Sequence, residues 1–272
     1  MPKAESHVDA VGRGGSKPQR FLLDSGLDLC AVKFQQCPQG HRVLCNEWLG
    51  HNLAQFLGVR VPRFGLVQVP AEALPPGGLT VLDPEDQPVA LQPGIHFYSQ
   101  WLEPATELTP SDLVMKSLFS DIPMLAGVIL LDMLMDNWDR ELSNPNLLVS
   151  RHTGIAQIYM VDTGNAFGSP FWGLGDLNPA YSRFNNPDDP LPYYSPHLPL
   201  LRAINVTQDF APFLHQLSLV DRTMLTGLVN ALPSEWGVTV TEGEALVNFL
   251  DARARQIPAH MAQRLKRREW WK

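Results

Sequence analysis

The stretch Asp139-Arg140-Glu141-Leu142-Ser143-Asn144-Pro145-Asn146-Leu147-Leu148-Val149, with Tyr159-Met160-Val161-Asp162-Thr163-Gly164 a little further on, decides how the rest of the chain is read. An Asp heads a polar turn, an Asn follows five positions later, and an apolar, strand-like run leads away. A second Asp closes another apolar run and precedes Thr-Gly. Between Asp139 and Asp162 there is room for a strand, a turn around Thr153-Gly154 and a return strand. Such a hairpin brings both carboxylates to one end.

In that geometry Asp139 can accept or orient the proton of an attacking hydroxyl. Asn144 and Asp162 can supply oxygen ligands to magnesium, a hard cation suited to one or two carboxylates plus phosphate oxygens. Asn146 competes with Asn144, because Asn-Pro-Asn leaves the assignment by spacing open. Asp and Asn are also ordinary turn formers, so a polar-ended hairpin accounts for the first pair alone. Asp162 tips the reading toward a magnesium-dependent phosphoryl transferase.

Working upstream, Lys33 is a single lysine in the otherwise apolar run Val32-Lys33-Phe34. A buried ammonium needs a partner. Glu47, on the helix expected over 43–57, can provide one, leaving Lys33 to touch the α and β phosphates of ATP. Taken alone, Lys33 reads equally well as a surface lysine on an edge strand. The glycine segment around Gly14, Gly15 and Ser16 can lay backbone N–H groups over phosphates, with Arg13 and Lys17 beside it, although it is neither GxGxxG nor a Walker A motif. A flexible tail is the competing reading of that segment.

The wider pattern predicts two strands around a polar turn over 20–34, a helix stopped by Gly58, and a strand over 61–69. The order is harder to read beyond the Pro/Gly-rich stretch 70–78. A strand-like piece at 97–103 runs into Pro104, and Thr109-Pro110-Ser111-Asp112 opens a helix. A lobe boundary placed here divides the chain into 1–103 and 104–272. An apolar helix is expected over 122–135, irregular loops over 164–199, and two or three terminal helices, one of them over 242–256.

With 44% hydrophobic and 18% charged residues in 272, the chain belongs to the globular class. A net charge of −7 gives no general case for nucleic-acid binding. The basic cluster Arg264, Lys266, Arg267 and Arg268 reads as a solvated helix end or tail more readily than as a binding patch, although Trp270 and Trp271 beside it could support weak surface contacts. Cys30, Cys37 and Cys45 are odd in number and lack CxxC spacing, against a disulfide framework or zinc site. The first residues show no apolar signal core, and the run 124–135 is too short to span a membrane. A cytoplasmic setting with no membrane partner is expected. The scattered His41, His51, His96, His152, His197, His215 and His260 form no metal-ligand spacing and read as surface or hydrogen-bonded residues. Ser169 and Ser195 lack a nucleophile-elbow context.

The ordered set Val32-Lys33-Phe34, Asn46-Glu47, Leu57-Gly58-Val59-Arg60-Val61-Pro62, Asp139-Arg140 with Asn144-Pro145-Asn146-Leu147-Leu148, and Val161-Asp162-Thr163-Gly164 resembles the HipA-like kinases. The catalytic turn is also similar to that of phosphatidylinositol kinases, where an Asp-Arg pair heads the loop. The resemblance spans roughly residues 12–165. It implies an α+β, bilobal protein-kinase-like fold with a small β-rich N-lobe and a mainly helical C-lobe. It further implies ATP with Mg2+, and phosphorylation of a Ser/Thr hydroxyl on a protein. By the same carry-over Lys33 binds phosphate, Glu47 pairs with it, Asp139 is the catalytic base, and Asn144 and Asp162 hold metal. Gln100, Trp101 and Leu102 fall in the hinge that meets adenine. Three departures stand out: Glu141 where a histidine often follows Asp-Arg, Thr163 in place of the phenylalanine of DFG, and no room for the extra N-terminal subdomain of the toxin kinases. An inactive nucleotide- or protein-binding module, a small-molecule acceptor, and nucleotide rather than phosphoryl transfer stay open.

Overall fold

The computed structural model describes residues 1–12, 14–24, 28–140, 144–151, 154–182 and 200–267. Arg13, Glu141, His152, Thr153, Ser195, His197, Arg268, Trp270 and Trp271 lie outside them, as do the side chains of Arg264, Lys266 and Arg267.

The N-terminal part is built on a sheet ordered β1-β2-β3-β7-β4, comprising β1 (Ala4–Ala10), β2 (Gln19–Leu23), β3 (Leu29–Lys33), β4 (Phe64–Val69) and β7 (Gly94–Gln100). All its neighbouring strands are antiparallel. The expected hairpin over 20–34 is β2 with β3, Phe21 facing Cys30. The strand expected from residue 61 starts only at Phe64, because Pro62 lacks an amide for the ladder. A separate hairpin, β5 (Leu79–Leu82) with β6 (Pro88–Leu91), fills the stretch that the sequence left unread.

Helix α1 (Arg42–Leu57) ends at Gly58, whose φ of 82° is the left-handed cap that glycine adopts without strain. It is buried on nearly every side, since it lies between the sheet and the helical part. Its Cys45, Leu49 and Leu53 belong to the main core, together with all the apolar residues of α3 (Met124–Met135). A second core cluster, around Phe21, Val32, Phe34 and Val67, covers the face of the sheet turned away from Lys33 and α1.

Between them, β8 (Ala105–Glu107), β9 (Leu147–Ser150) and β10 (Gln157–Met160) form a small antiparallel sheet. The short helix α2 (Pro110–Val114) opens on Thr109 with a capping box to Asp112. Three helices close the described chain: α4 (Val206–Ser218), α5 (Arg222–Asn230) and α6 (Val240–Arg267). The last extends past the expected 242–256 at both ends, despite Pro258. The architecture is therefore α+β and bilobal, a β-rich N-terminal part against a mainly helical C-terminal part.

All three cysteines are buried and free. Burial pushes the thiols of Cys30 and Cys37 up to about 12 and about 11, so neither is a ready nucleophile. Among the described residues no helix is long and apolar enough to cross a membrane.

Candidate active site

Strand alternation sets the first side of the site. In β3 the buried Cys30 and Val32 point into the core, which turns Ala31 and Lys33 the other way, into a cavity of about 290 Å3. Facing them across that cavity are Asn144, Asn146, Leu148, Val161 and Asp162.

Lys33 is the hub. Its ammonium donates to Oε1 of Glu47 and, at 2.9 Å, to Oδ1 of Asp162. Burial alone would depress the Lys33 pKa, but the carboxylates of Asp162 and Glu47 hold it above the usual lysine range. Burial likewise opposes the charge on Glu47, yet Lys33, helped by His51, keeps its carboxyl well below the usual value. At Asp162 burial prevails, reinforced by the neighbouring Glu47, and the pKa is raised despite Lys33. Glu47 is 1% exposed whereas Asp162 keeps 32% of its side chain accessible, so Asp162 is the carboxylate that can meet a ligand.

The hairpin expected around Thr153-Gly154 is present as β9 and β10, with Leu147 opposite Met160. One step beyond that pair, the amide of Val161 donates to the carbonyl of Asn146 at 3.0 Å. Asn146 therefore lies beside Asp162. It is buried, has a left-handed backbone (φ 48°), and donates its carboxamide to the main-chain oxygen of Asp139 at 3.0 Å and to Oδ2 at 3.4 Å. The exposed Asn144 also reaches Asp139 Oδ2, at 3.4 Å. Both asparagines line the cavity, so the structure brings both candidates to it.

Several groups that hold this constellation escaped the sequence reading. Asn165 donates to Asp139 Oδ2 at 2.7 Å. Arg140 is buried and grips Asp132 with two bonds, 2.7 and 3.0 Å, while donating to the carbonyls of Pro145 and Asn146. Asp132 was visible as the one charge in an apolar helix. His51, one turn after Glu47, is of the two expected kinds the hydrogen-bonded one: its Nδ1 lies 3.0 Å from the Glu47 carbonyl and 3.2 Å from Oε2.

Asn46 fastens α1 to the chain beyond Asp162. Its amide donates to the carbonyls of Gly164 (2.6 Å) and Ala166 (3.2 Å), and its oxygen accepts from the indole of Trp172 (2.7 Å). Thr163 donates to the Asn46 carbonyl at 3.1 Å. The helix admits it only because residue 50 is glycine: a Cβ there would lie 2.2 Å from the Thr163 hydroxyl oxygen.

The glycine segment is the β1–β2 connection, closed by Val11 N–H to Pro18 O at 3.0 Å. Gly14 lines the cavity, Gly15 backs onto the side chain of Gln39, and Ser16 is buried. Gln100, Trp101 and Leu102 line the same cavity. The amides of Gln100 and Trp101 are engaged, to Arg63 and Leu29 carbonyls, whereas among the described residues that of Leu102 has no backbone partner.

The donor set fits ATP and magnesium. Val11, Ala31 and Leu148 give apolar walls for a flat base, and Lys33 supplies a cation for phosphate. The candidate metal ligands are all oxygen donors: one accessible carboxylate and two carboxamides. Among the described residues no three His, Cys, Asp or Glu side chains converge on a metal position. One carboxylate with carboxamide oxygens is a donor set suited to Mg2+, which relies on few protein ligands and takes the rest from phosphate and water.

A model of the HipA-like kinase family matches residues 28–173. No curated protein matches the chain. Among solved structures, the proinflammatory kinase CtkA of Helicobacter pylori is similar, with a TM-score of 0.61 and 13% identity over 97% of each chain. Hydra Fam20, solved with sugar, is similar with a TM-score of 0.59 and 13% identity over 98% of this chain and 87% of that one. At such identity the likeness is one of fold, and that fold is the bilobal kinase-like one.

Proposed function

The chain belongs to the HipA-like kinase family, and from that premise we propose that it transfers the γ-phosphoryl group of ATP, with Mg2+, to a Ser/Thr hydroxyl on a protein. The observation that supports this reading is the convergence of Lys33, Glu47 and Asp162 in one cavity that Asn146, hydrogen-bonded to Asp139, also lines. The family resemblance supports the Ser/Thr acceptor. Residues 1–103 serve as the N-lobe and 104–272 as the C-lobe.

In this reading Lys33 binds the α and β phosphates, and Glu47 fixes its direction while staying charged. Leu102, at the hinge, offers the N–H for the base. Asp162 and Asn146 are assigned to the metal. Asn146 is preferred to Asn144 because its ladder position puts it beside Asp162 and its amide is occupied by Asp139, leaving its oxygen for the cation. Bound magnesium would neutralise charge on the phosphates. Asp139, oriented by Asn165 and Asn146, takes up the acceptor's proton, and the buried Arg140–Asp132 pair holds the turn in place.

Mass spectrometry after incubation with Mg-ATP and a protein extract tests this reading. Phosphate on Ser or Thr is expected, and should vanish with Asp139→Ala and Asp162→Ala. Addition of the nucleotide instead, or transfer that survives both substitutions, overturns it.

A further inference from the structure

The outer edge of β4 carries hydrogen-bonding groups that none of the chemistry above uses. β4 is the last strand of its sheet, with Phe64 opposite Ser99 and Leu66 opposite Phe97 on β7. The Gln100 amide donates to the Arg63 carbonyl at 2.7 Å. Bonded pairs alternate along an antiparallel ladder, so Gly65 and Val67 also bond to β7, while Phe64, Leu66 and Gln68 turn their N–H and C=O groups outward. Gln68 obeys that parity: its amide donates to the Pro2 carbonyl at 3.0 Å, and Lys3 bridges to it in the parallel sense. The N-terminal residues thus cover one end of the edge. Among the described residues, the outward groups of Phe64 and Leu66 have no partner.

These groups open on a groove of about 670 Å3 between β4 and α1. Trp48, Asn52 and Gln55, one face of the helix, form one wall and Phe64 and Leu66 the other, with Met1 and Pro2 at its side. Among the described residues Arg63 is the only charged side chain that lines it, half-exposed and paired with Asp28.

We propose that this edge docks an extended segment of a partner protein as an added strand, bonded through its main chain to Phe64 and Leu66, with an apolar side chain packed on Trp48 and Phe64. The orphan groups recur every second residue, which is the period of a strand and matches neither a helix nor a compact ligand. The edge is already extended by strand pairing at Gln68, so the new strand continues an existing ladder. With Arg63 as its one charged side chain among the described residues, the groove suits a neutral or acidic segment. Trp48 directly follows Glu47, so an occupant packs against the helix that holds the partner of Lys33.

Panning the whole protein against a displayed library of short random linear peptides tests the proposal without requiring phosphotransfer. Enriched peptides should alternate apolar residues and lack basic ones. Amide exchange at Phe64 and Leu66 should be fast in the free protein and slow once a peptide is bound, whereas Gly65 and Val67 are protected throughout. Leu66→Pro removes the outward N–H without touching the bonds to β7, and Leu66→Ala keeps it. Peptide affinity should be lower in the Pro variant by roughly two- to tenfold, the worth of one hydrogen bond. Methylating the contacting peptide amides should weaken binding to wild-type protein in the same way, a test independent of whether the Pro variant folds. Peptides indifferent to both changes, a library with no enrichment, or self-association that protects Phe64 and Leu66 would each overturn it, the last by making a second copy the occupant.

Discussion

The Nζ of Lys33 sits 2.9 Å from Oδ1 of Asp162, across 129 residues of chain, while the same ammonium bonds Glu47 on α1. One cation therefore joins β3, α1 and the segment after β10. Two carboxylates this close are tolerable only because Lys33 lies between them.

Lys33→Met should abolish that balance. Leaving Glu47 and Asp162 without a counter-ion should cost about 3–5 kcal/mol, the usual penalty for breaking a buried pair, and phosphotransfer should fall at least about 100-fold. Adding Glu47→Gln should recover part of the stability and none of the activity. Urea unfolding midpoints of wild type and the two variants check this; a Lys33→Met protein as stable as wild type would sink the account of Lys33 as the shared counter-ion.

Asp132 acts on the turn that carries Asp139 at one remove. It anchors Arg140, and Arg140 holds the carbonyls of Pro145 and Asn146. Asp132→Asn strands a buried guanidinium and should cost about 3 kcal/mol or more. Arg140→Lys keeps the charge but loses the two-pronged grip on the carboxylate. In that variant the Mg2+ concentration needed for half-maximal rate should rise severalfold more than the KM for acceptor. A uniform loss of rate with unchanged Mg2+ dependence would assign the pair to folding alone.

Gly50→Ala tests the lock between α1 and the Asp162 segment. Alanine usually favours a helix interior over glycine by roughly 0.5–1 kcal/mol. Here its Cβ would lie 2.2 Å from the Thr163 hydroxyl oxygen and 2.6 Å from the Thr163 Cβ. The variant should therefore lose both stability and activity. Thr163→Ala should not rescue it, because the Cβ contact stays, whereas Thr163→Gly should restore stability in part. Equal rescue by both would mean that the hydroxyl contact alone is limiting.

Lys33, Glu47, Asp139 and Asp162 could be read from the sequence because each is a polar residue set in or beside an apolar run, in a fixed order. Helix α3 was readable from its unbroken apolarity. Asn46, Thr163 and Trp172 were not, since their hydrogen bonds join positions 117 to 126 residues apart. The Asp132–Arg140 pair depends on a chain reversal through Asp136, whose φ of 50° no periodicity announces. That Asn146 lies beside Asp162 follows from the ladder register, which only the pairing of Leu147 with Met160 supplies. The hairpin β5–β6 was hidden by the turn residues that punctuate it.

Between pH 7 and pH 4 a pH dependence should come from His96, which is fully buried under the ring of Phe34, centroids 4.3 Å apart. Burial lowers its pKa from 6.5 to about 4, against the pull of the Gln92 carbonyl and Glu235. Nε2 donates to that carbonyl at 3.0 Å, and Nδ1 accepts from the Gln35 amide at 3.4 Å, so a second proton on Nδ1 would face a donor. The unfolded chain takes up this proton near pH 6.5, and the folded one only near pH 4. The contribution of neutral His96 is therefore complete above pH 6.5 and fades as the pH falls toward 4, by at most roughly 3 kcal/mol. His96→Gln cannot titrate, so its unfolding free energy, followed by urea denaturation between pH 7 and pH 4, should fall less steeply than that of wild type. Parallel slopes for the two proteins would show that His96 is not the group being protonated.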